Sequence, residues 1–481
     1  MSKLKALFTA KDMTKGEPWK RILEFSIPLL IGNIAQQFYN TADSIVVGKY
    51  VGDNALAAVG SAMPILNLLL VLFVGVATGA GIMVSQYYGA KDREKLSRSI
   101  GVCITLTAIT SLIVMLIGPL VTRPLLKLLN TPASILDWSA DYLITLFVGA
   151  LGFSYYNILS GILRGLGDSL SALVFLLIST ALNVGLDIWF VAGFNMGVQG
   201  VALATIIAQC ISAVLCFIKL ARMTDIFDMK FEYLKPLKEY SFRLINLGLP
   251  SGLTQGIFSF AMIAVQSLTN SFGELVIACN VIVMRVDGFA MMPNFSFGTA
   301  MTTYAGQNVG AGRLDRVKQG TISGLKIAVS VAVTITIIIL LFGRYLMGIF
   351  TDTAELVDLG MRMMKILAAG YIAMAVTQVL SGVMRGAGDT VTPMWISLIT
   401  TIGLRIPVAY SIAYFTRSEL YPKGRPESVF ISLLVAWVLG ACINTFFYAR
   451  GKWRKKAASE FQMKSEEMEN RDMAELAETG I

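Results

Sequence analysis

Apolar runs of about 20 residues recur along the whole chain, each closed by a short polar or basic stretch, which is the length a helix needs to cross a bilayer. The pattern predicts twelve spans. Six lie in the first half, over roughly 22–47, 55–85, 99–121, 138–161, 170–192 and 197–219. Six more cover roughly 242–269, 276–306, 320–342, 360–384, 391–415 and 428–449. The weaker alternation of an outer-membrane barrel, with its ~10-residue strands, is absent. The expected class is therefore an all-α polytopic membrane protein. Residues 1–21 read as a polar, basic, cytoplasmic N-terminal segment with no apolar core of a cleavable signal. Residues 22–219 form a first lobe, 220–241 a linker too polar to span, 242–450 a second lobe, and 451–481 a charged cytoplasmic tail, of which 457–481 read as solvated.

The second half repeats the first. Leu159-Ser-Gly-Ile-Leu-Arg-Gly-Leu-Gly-Asp168 matches Leu380-Ser-Gly-Val-Met-Arg-Gly-Ala-Gly-Asp389 at seven of ten positions, at an offset of 221. Gln86-Tyr-Tyr-Gly-Ala90 matches Gln307-Asn-Val-Gly-Ala311 at the same offset. An even number of spans per half gives both halves one orientation, a parallel repeat of the kind secondary transporters use, with an expected cavity between two six-helix lobes.

Charge then orients the chain. Lys and Arg cluster in alternate loops: Lys91, Arg93, Lys95 and Arg98 after span two, Lys230, Lys235, Lys238 and Arg243 between the halves, and Arg313, Arg316 and Lys318 after span eight. The positive-inside rule puts these loops and both termini in the cytoplasm of a bacterial-type inner membrane. The net charge of +9 is thereby explained without a nucleic-acid partner. Charged residues make up 15% of the chain, against ~25% in soluble domains. The chain contains no histidine, which removes His-based catalysis, His-ligated metals and His proton relays. Its five cysteines, Cys103, Cys210, Cys216, Cys279 and Cys442, all lie in apolar segments without a C-x-x-C pair, so neither disulfides nor zinc are expected.

The duplication breaks at two acids. Asp43 in span one faces Val265 in the repeat, and Asp187 in span five faces Val408. A carboxylate inside a span costs ~2.5–3.5 kcal/mol on insertion scales, so it should face protein or water and marks a functional position. Asp43 could instead reach the outer interface, since Lys49 follows within two turns. Asn183 and Asp187 are four apart and share a helix face, with Gly185 between them as a point of close approach. They could also simply pair with backbone or with each other. Thr205 in span six adds a hydroxyl. Together the four offer only oxygen ligands, which suits a hard cation such as Na⁺. They suit H⁺ as well, because two carboxylates in a dry site do not both ionise easily.

These features resemble the multidrug and toxic compound extrusion (MATE) family, a branch of the multidrug/oligosaccharidyl-lipid/polysaccharide exporter superfamily. The span-one Asp43 ahead of Val46-Val-Gly48, the two R-G-x-G-D turns and the Gln-x-x-Gly-Ala ends of spans two and eight carry the likeness, which covers roughly residues 20–450. Within it the chain is similar to the DinF-like branch. That likeness implies an amino-lobe cation site at Asp43, Asn183, Asp187 and Thr205, with Tyr39, Tyr142 and Asn157 in a surrounding hydrogen-bond or substrate network. It also implies a bend in span one at Pro28. The NorM-like arrangement uses carboxyl-lobe acids, where this chain has Gln255, Leu404 and Val408.

Three other features carry weaker chemistry. Arg285 and Asp287 in span eight and Arg405 in span eleven are charged within spans. Arg285 and Asp287 are two apart and do not face each other on a helix, so each needs a partner from elsewhere. They form either a structural network or a second proton or substrate site centred on Asp287. The turns Arg164–Asp168 and Arg385–Asp389 are glycine-rich but lack the lysine of a phosphate loop, and read as structural turns with Gly165, Gly167, Gly386 and Gly388 supplying unusual backbone angles. Met284, Met291 and Met292 cluster with Phe289 and Phe295, either as packing or as the adaptable wall of a promiscuous cavity.

The expectation is a secondary antiporter, not an enzyme. It would export amphipathic, cationic organic compounds in exchange for Na⁺ or H⁺, with no cofactor, no ATP-binding subunit, and a monomeric chain in the lipid bilayer. The rival expectations are a flippase for lipid-linked oligosaccharide or another lipid, and a non-transporting membrane sensor.

Overall fold

A computed structural model describes residues 10–419 and 421–457; the expected solvated tail, from residue 458 on, and the first nine residues lie outside them. Twelve helical runs follow in order among the described residues. In the first half they are α1 (Pro18–Val46), α2 (Asp53–Gly89), α3 (Arg93–Leu128), α4 (Ala133–Val148 and Ala150–Gly165), α5 (Ser169–Asp187) and α6 (Gly197–Ala221). The second half has α7 (Lys238–Ser271), α8 (Glu274–Gly310), α9 (Leu314–Gly348), α10 (Ala354–Ala368 and Gly370–Gly386), α11 (Val391–Ser397 continuing to Arg405–Phe415) and α12 (Glu427–Arg450). Eight are long and apolar enough to cross a membrane, and the bent pairs in α4 and α10 would make ten. The other two, α1 and α2, have 29 and 37 residues, ample for ~30 Å of hydrocarbon. The chain is a multi-pass, all-helical membrane protein.

The repeat extends to packing. α4 bends by 55° at Gly149 and α10 by 42° at Ala369. A methyl group on Gly161 would lie 2.7 Å from the Ala77 carbonyl oxygen, and one on Gly165 2.7 Å from that of Gly81. At the equivalent positions Gly382 meets the Gly298 carbonyl and Gly386 that of Thr302, closer still. Small residues one turn apart thus let α4 lie against α2, and α10 against α8, at backbone distance. This corrects the reading of the two turns. Gly167 (φ +87°) and Gly388 (φ +90°) do supply left-handed backbone, but Gly165 and Gly386 are there for close approach. Asp168 and Asp389 then cap the next helices, accepting from the Ser171 N–H at 2.9 Å and the Thr392 N–H at 3.2 Å.

The chain divides into two compact units. The first contains residues 27–88 and 92–252, and the second 12–26, 89–91 and the described residues from Leu253 on. The sequence placed the division in the linker 220–241; it falls instead inside α7. Two contacts explain this. The linker is tied to the first unit: Arg93 grips Asp228 with two bonds, at 2.7 and 3.1 Å, and Thr105 donates to the Leu234 carbonyl at 2.6 Å. Beyond it, Gly248 and Gly252 of α7 meet Gly75 and Gly79 of α2 at backbone distance.

The start of α1 and the segment before it belong to the second unit, which the reading of residues 1–21 as a plain cytoplasmic segment did not foresee. Met13 is fully buried there. Its N–H donates to Gln307 Oε1 at 2.8 Å, and its carbonyl accepts from Asn308 Nδ2 and Arg316 Nη2, each at 3.3 Å. Arg316 Nη2 also donates to the Gly16 carbonyl at 2.9 Å. Residues 12–16 therefore form a strap over the ends of α8 and α9. The division between units falls just after Ser26, two residues ahead of Pro28, where α1 lacks a backbone N–H.

Candidate functional site

In the first unit α1, α5 and α6 bring four of the predicted residues together. Asp187 and Asn183 are fully buried, and Asp43 is partly buried. The carboxyl groups of Asp43 and Asp187 lie within hydrogen-bond reach of each other. Asn183 sits between them. With its amide nitrogen turned toward the acids it donates to Asp43 Oδ1 at 2.7 Å and to Asp187 Oδ2 at 3.2 Å. The other edge of the amide then faces Thr205 Oγ1 at 3.4 Å, and Tyr39 donates to that oxygen at 3.2 Å. Asp187 Oδ1 is buried with no hydrogen-bond partner among the described residues. Tyr142 is buried within electrostatic range of both acids.

Local backbone geometry sets this up. Asp187 ends α5, and the next six residues, Ile188–Gly193, form a π-helical turn. A second π turn, Val47–Val51, ends α1 four residues after Asp43. A π turn inserts one residue into the helical register and so re-aims the side chains beside it; such turns concentrate at functional sites. No apolar-periodicity signal in the sequence distinguishes them from ordinary helix.

Two further residues singled out in the sequence make local contacts or none. Asn157 donates one N–H to the Phe153 carbonyl on its own helix at 2.8 Å. Gly185 has open space where a methyl group would go, among the described residues, so it is not the close-packing point the sequence suggested. The counterpart positions in the second unit, Val265 and Val408, are apolar; Val265 is buried.

The second unit arranges its own charges differently. Asp287 is buried, and the Tyr371 hydroxyl donates to its Oδ1 at 3.0 Å. Arg405 is buried facing the same cavity of about 320 Å³, whereas Arg285 is exposed away from it. Met284, Met291 and Phe295 line that cavity; Phe289 and Met292 do not. Tyr371 was not singled out in the sequence: a lone tyrosine in an apolar run reads as packing.

The MatE family model matches residues 28–189 and again 250–411, one match per half. The probable multidrug resistance protein YpnP of Bacillus subtilis is 30% identical over 447 residues, covering 92% of this chain and 98% of the relative. YoeA of the same organism, also called a probable multidrug resistance protein, is 29% identical over 454 residues, 92% and 96% of the two chains. Among solved structures, an outward-facing multidrug resistance MATE family transporter of the MOP superfamily superposes with a TM-score of 0.86 at 23% identity, over 93% of this chain and 98% of the other. That likeness carries the fold.

Proposed function

Because the chain belongs to the MatE family, we propose that it is a secondary active antiporter that exports amphipathic, cationic organic compounds in exchange for Na⁺ or H⁺. The observation that carries this is the pair of carboxylates in the first unit, Asp43 and Asp187, joined through Asn183 and absent from the repeat. The names of the Bacillus relatives support the substrate class. The similarity to the DinF-like branch supports placing the coupling ion at this cluster.

The geometry suits either ion, with Asn183 turned differently for each. With the amide nitrogen of Asn183 toward the acids, the carboxylates accept its two bonds and the cluster suits a shared proton. For Na⁺ the amide turns over, presenting its oxygen beside the carboxylates and the Thr205 hydroxyl, an all-oxygen set for a hard cation. Either ion removes repulsion between the two acids. Antiport then requires that ion and drug stabilise different states of the alternating-access cycle, since a ligand equally at home in both shifts nothing. Each net charge moved across 100 mV supplies ~2.3 kcal/mol, a factor of about 50. Because the drug is itself a cation, this drive acts only where more ion charge enters than drug charge leaves, and a one-for-one exchange runs on the ion's concentration gradient. The reading includes a cytoplasmic membrane location with both termini inside, no resident cofactor and no enzymatic step. Pro28 serves as the yielding point of α1.

The test is ethidium export from proteoliposomes with Na⁺ and pH gradients imposed separately. Export driven by one gradient supports antiport and names the ion. Folded protein that exports under neither gradient contradicts it and favours a lipid cargo.

A further inference from the structure

The linker between the halves borders a cavity that neither the ion site nor the export of drugs uses. The linker is pinned to the start of α3 at two places. Asp228 takes two bonds from Arg93, and its own N–H donates to Ser97 Oγ at 2.8 Å. Six residues on, the Leu234 carbonyl accepts from Thr105. Beside it the Tyr233 carbonyl lies so close to Gly101 that a methyl group there would clash. Between these pins the linker and the face of α3 border a cavity of about 340 Å³, within the range of small-molecule sites. Its walls are apolar: Ile100 and Ile104 of α3, Phe217 near the end of α6, and Phe227, Met229 and Leu234 of the linker. All of them belong to the first unit.

The cavity lies where hydrocarbon gives way to headgroups. The apolar run of α3 begins near residue 99, and that of α6 ends near residue 219. Phe217 and Ile218 are exposed there, as lipid-facing side chains are. Phe231 opens the single 3-10 turn Phe231–Leu234 and is 92% exposed. A bare aromatic ring on a pinned linker at that depth is stabilised by entering the lipid interface.

Two cations stand at the mouth. Arg98 and Lys230 lie over the Tyr233 ring, 5.3 and 5.6 Å from its centroid, and Tyr233 lines the cavity. Glu94 holds Arg98 at 2.9 Å, whereas Glu232 is 4.0 Å from the Lys230 ammonium. Across residues 91–98 and 219–243 there are ten Lys and Arg against six Asp and Glu, so the surface around the mouth is positive. An apolar cavity alone accepts any chain; cations at its mouth select a chain with an anionic head.

We infer that this cavity is a binding site for an anionic phospholipid. One acyl chain enters between α3, α6 and the linker, and the phosphate meets Lys230 and Arg98. Phe231 inserts into the bilayer beside it, so that lipid and ring together hold the linker on the membrane.

The experiment places the full-length protein in phosphatidylcholine nanodiscs with a trace of a photoreactive lipid, labelled with a diazirine on one acyl chain. The probe is phosphatidylglycerol or the same-chain phosphatidylcholine. After illumination, labelled peptides are mapped by mass spectrometry. The glycerol probe is expected to label residues 97–104 and 227–234 at least five-fold more than residues 337–342 of α9, a mostly exposed apolar face. The choline probe should label the same two segments at least three-fold less than the glycerol probe. Ile104→Trp fills the cavity and should bring labelling down to the level of α9. Lys230→Glu changes an exposed side chain and should bring the two probes within two-fold of each other. No enrichment over α9, equal labelling by both probes in wild type, or an unchanged preference in Lys230→Glu overturns the inference. A folded Ile104→Trp that labels as wild type does so too; if that variant does not fold, Lys230→Glu decides. No ion gradient is involved, so this result and the antiport result fail or stand separately.

Discussion

Arg316→Met should loosen the strap by about 30-fold. The substitution keeps an apolar stem and removes three donated bonds, to Asn308 Oδ1 at 3.1 Å, to the Gly16 carbonyl at 2.9 Å and to the Met13 carbonyl at 3.3 Å. A hydrogen bond from a charged donor contributes roughly 1.5–3 kcal/mol. The 3.3 Å bond is long and counts for little. Gly16 is exposed and recovers water, and the Met13 carbonyl keeps Asn308 as a donor. A net loss of about 2 kcal/mol remains, and ~1.4 kcal/mol is a factor of ten. Burial of Met13 is worth a similar ~1.5–3 kcal/mol, so the strap stays mostly docked and opens more often. Hydrogen exchange of a peptide covering residues 10–17 reports that opening through the Met13 N–H on Gln307. Exchange there should accelerate about 30-fold while α10 is unchanged. Less than a three-fold change would refute the assignment of Arg316 as the main clamp.

The packing glycines give a paired prediction. Gly161→Val and Gly382→Val should each cost about 1–3 kcal/mol by forcing α4 from α2, or α10 from α8, whereas Gly185→Ala should not lower the melting temperature; a neutral Gly161→Val would refute the close approach. Thr205→Val removes the link between Tyr39 and the Asn183 amide and should weaken Na⁺ or H⁺ coupling while leaving ethidium binding near wild type; equal loss of both would show a folding defect instead. Arg93 beside Asp228 holds that carboxyl below its ordinary range. A depressed folded value means the tether is fully present above the unfolded value of ~3.9 and is lost as pH falls through the lower folded one. Proteolysis of the linker should therefore stay slow down to about pH 4 and rise only below it, and Asp228→Asn should be cut faster at pH 7; a wild-type rise already near pH 6 would contradict this.

Twelve helices and a twofold repeat were legible because span length and sequence identity survive in one dimension. The asymmetry of the acids was legible for the same reason, since Asp43 against Val265 and Asp187 against Val408 need only an offset. That α1, α5 and α6 meet at these acids was carried by family resemblance, because helix spacing alone does not say which helices touch. Residues whose role depends on a neighbour's backbone were not legible. Gly165 and Gly167 look alike in sequence, yet one admits a carbonyl and the other a left-handed turn. The π turns leave no apolar period of their own, so the aiming of Asp187 was hidden. Met13 lies in a short polar stretch, and its burial depends on Gln307, Asn308 and Arg316 nearly 300 residues away.

The central claim is that Asp43 and Asp187 hold the ion whose movement drives export. Its most direct test is ion flux driven by drug: proteoliposomes loaded with ethidium, with counter-moving Na⁺ and H⁺ followed by tracer and internal pH dye. Wild type should carry one ion against ethidium with a fixed ratio, and Asp43→Asn and Asp187→Asn should each abolish that flux while still binding ethidium. Coupled flux that persists at wild-type ratio in both variants would contradict the assignment and move the coupling ion away from this cluster.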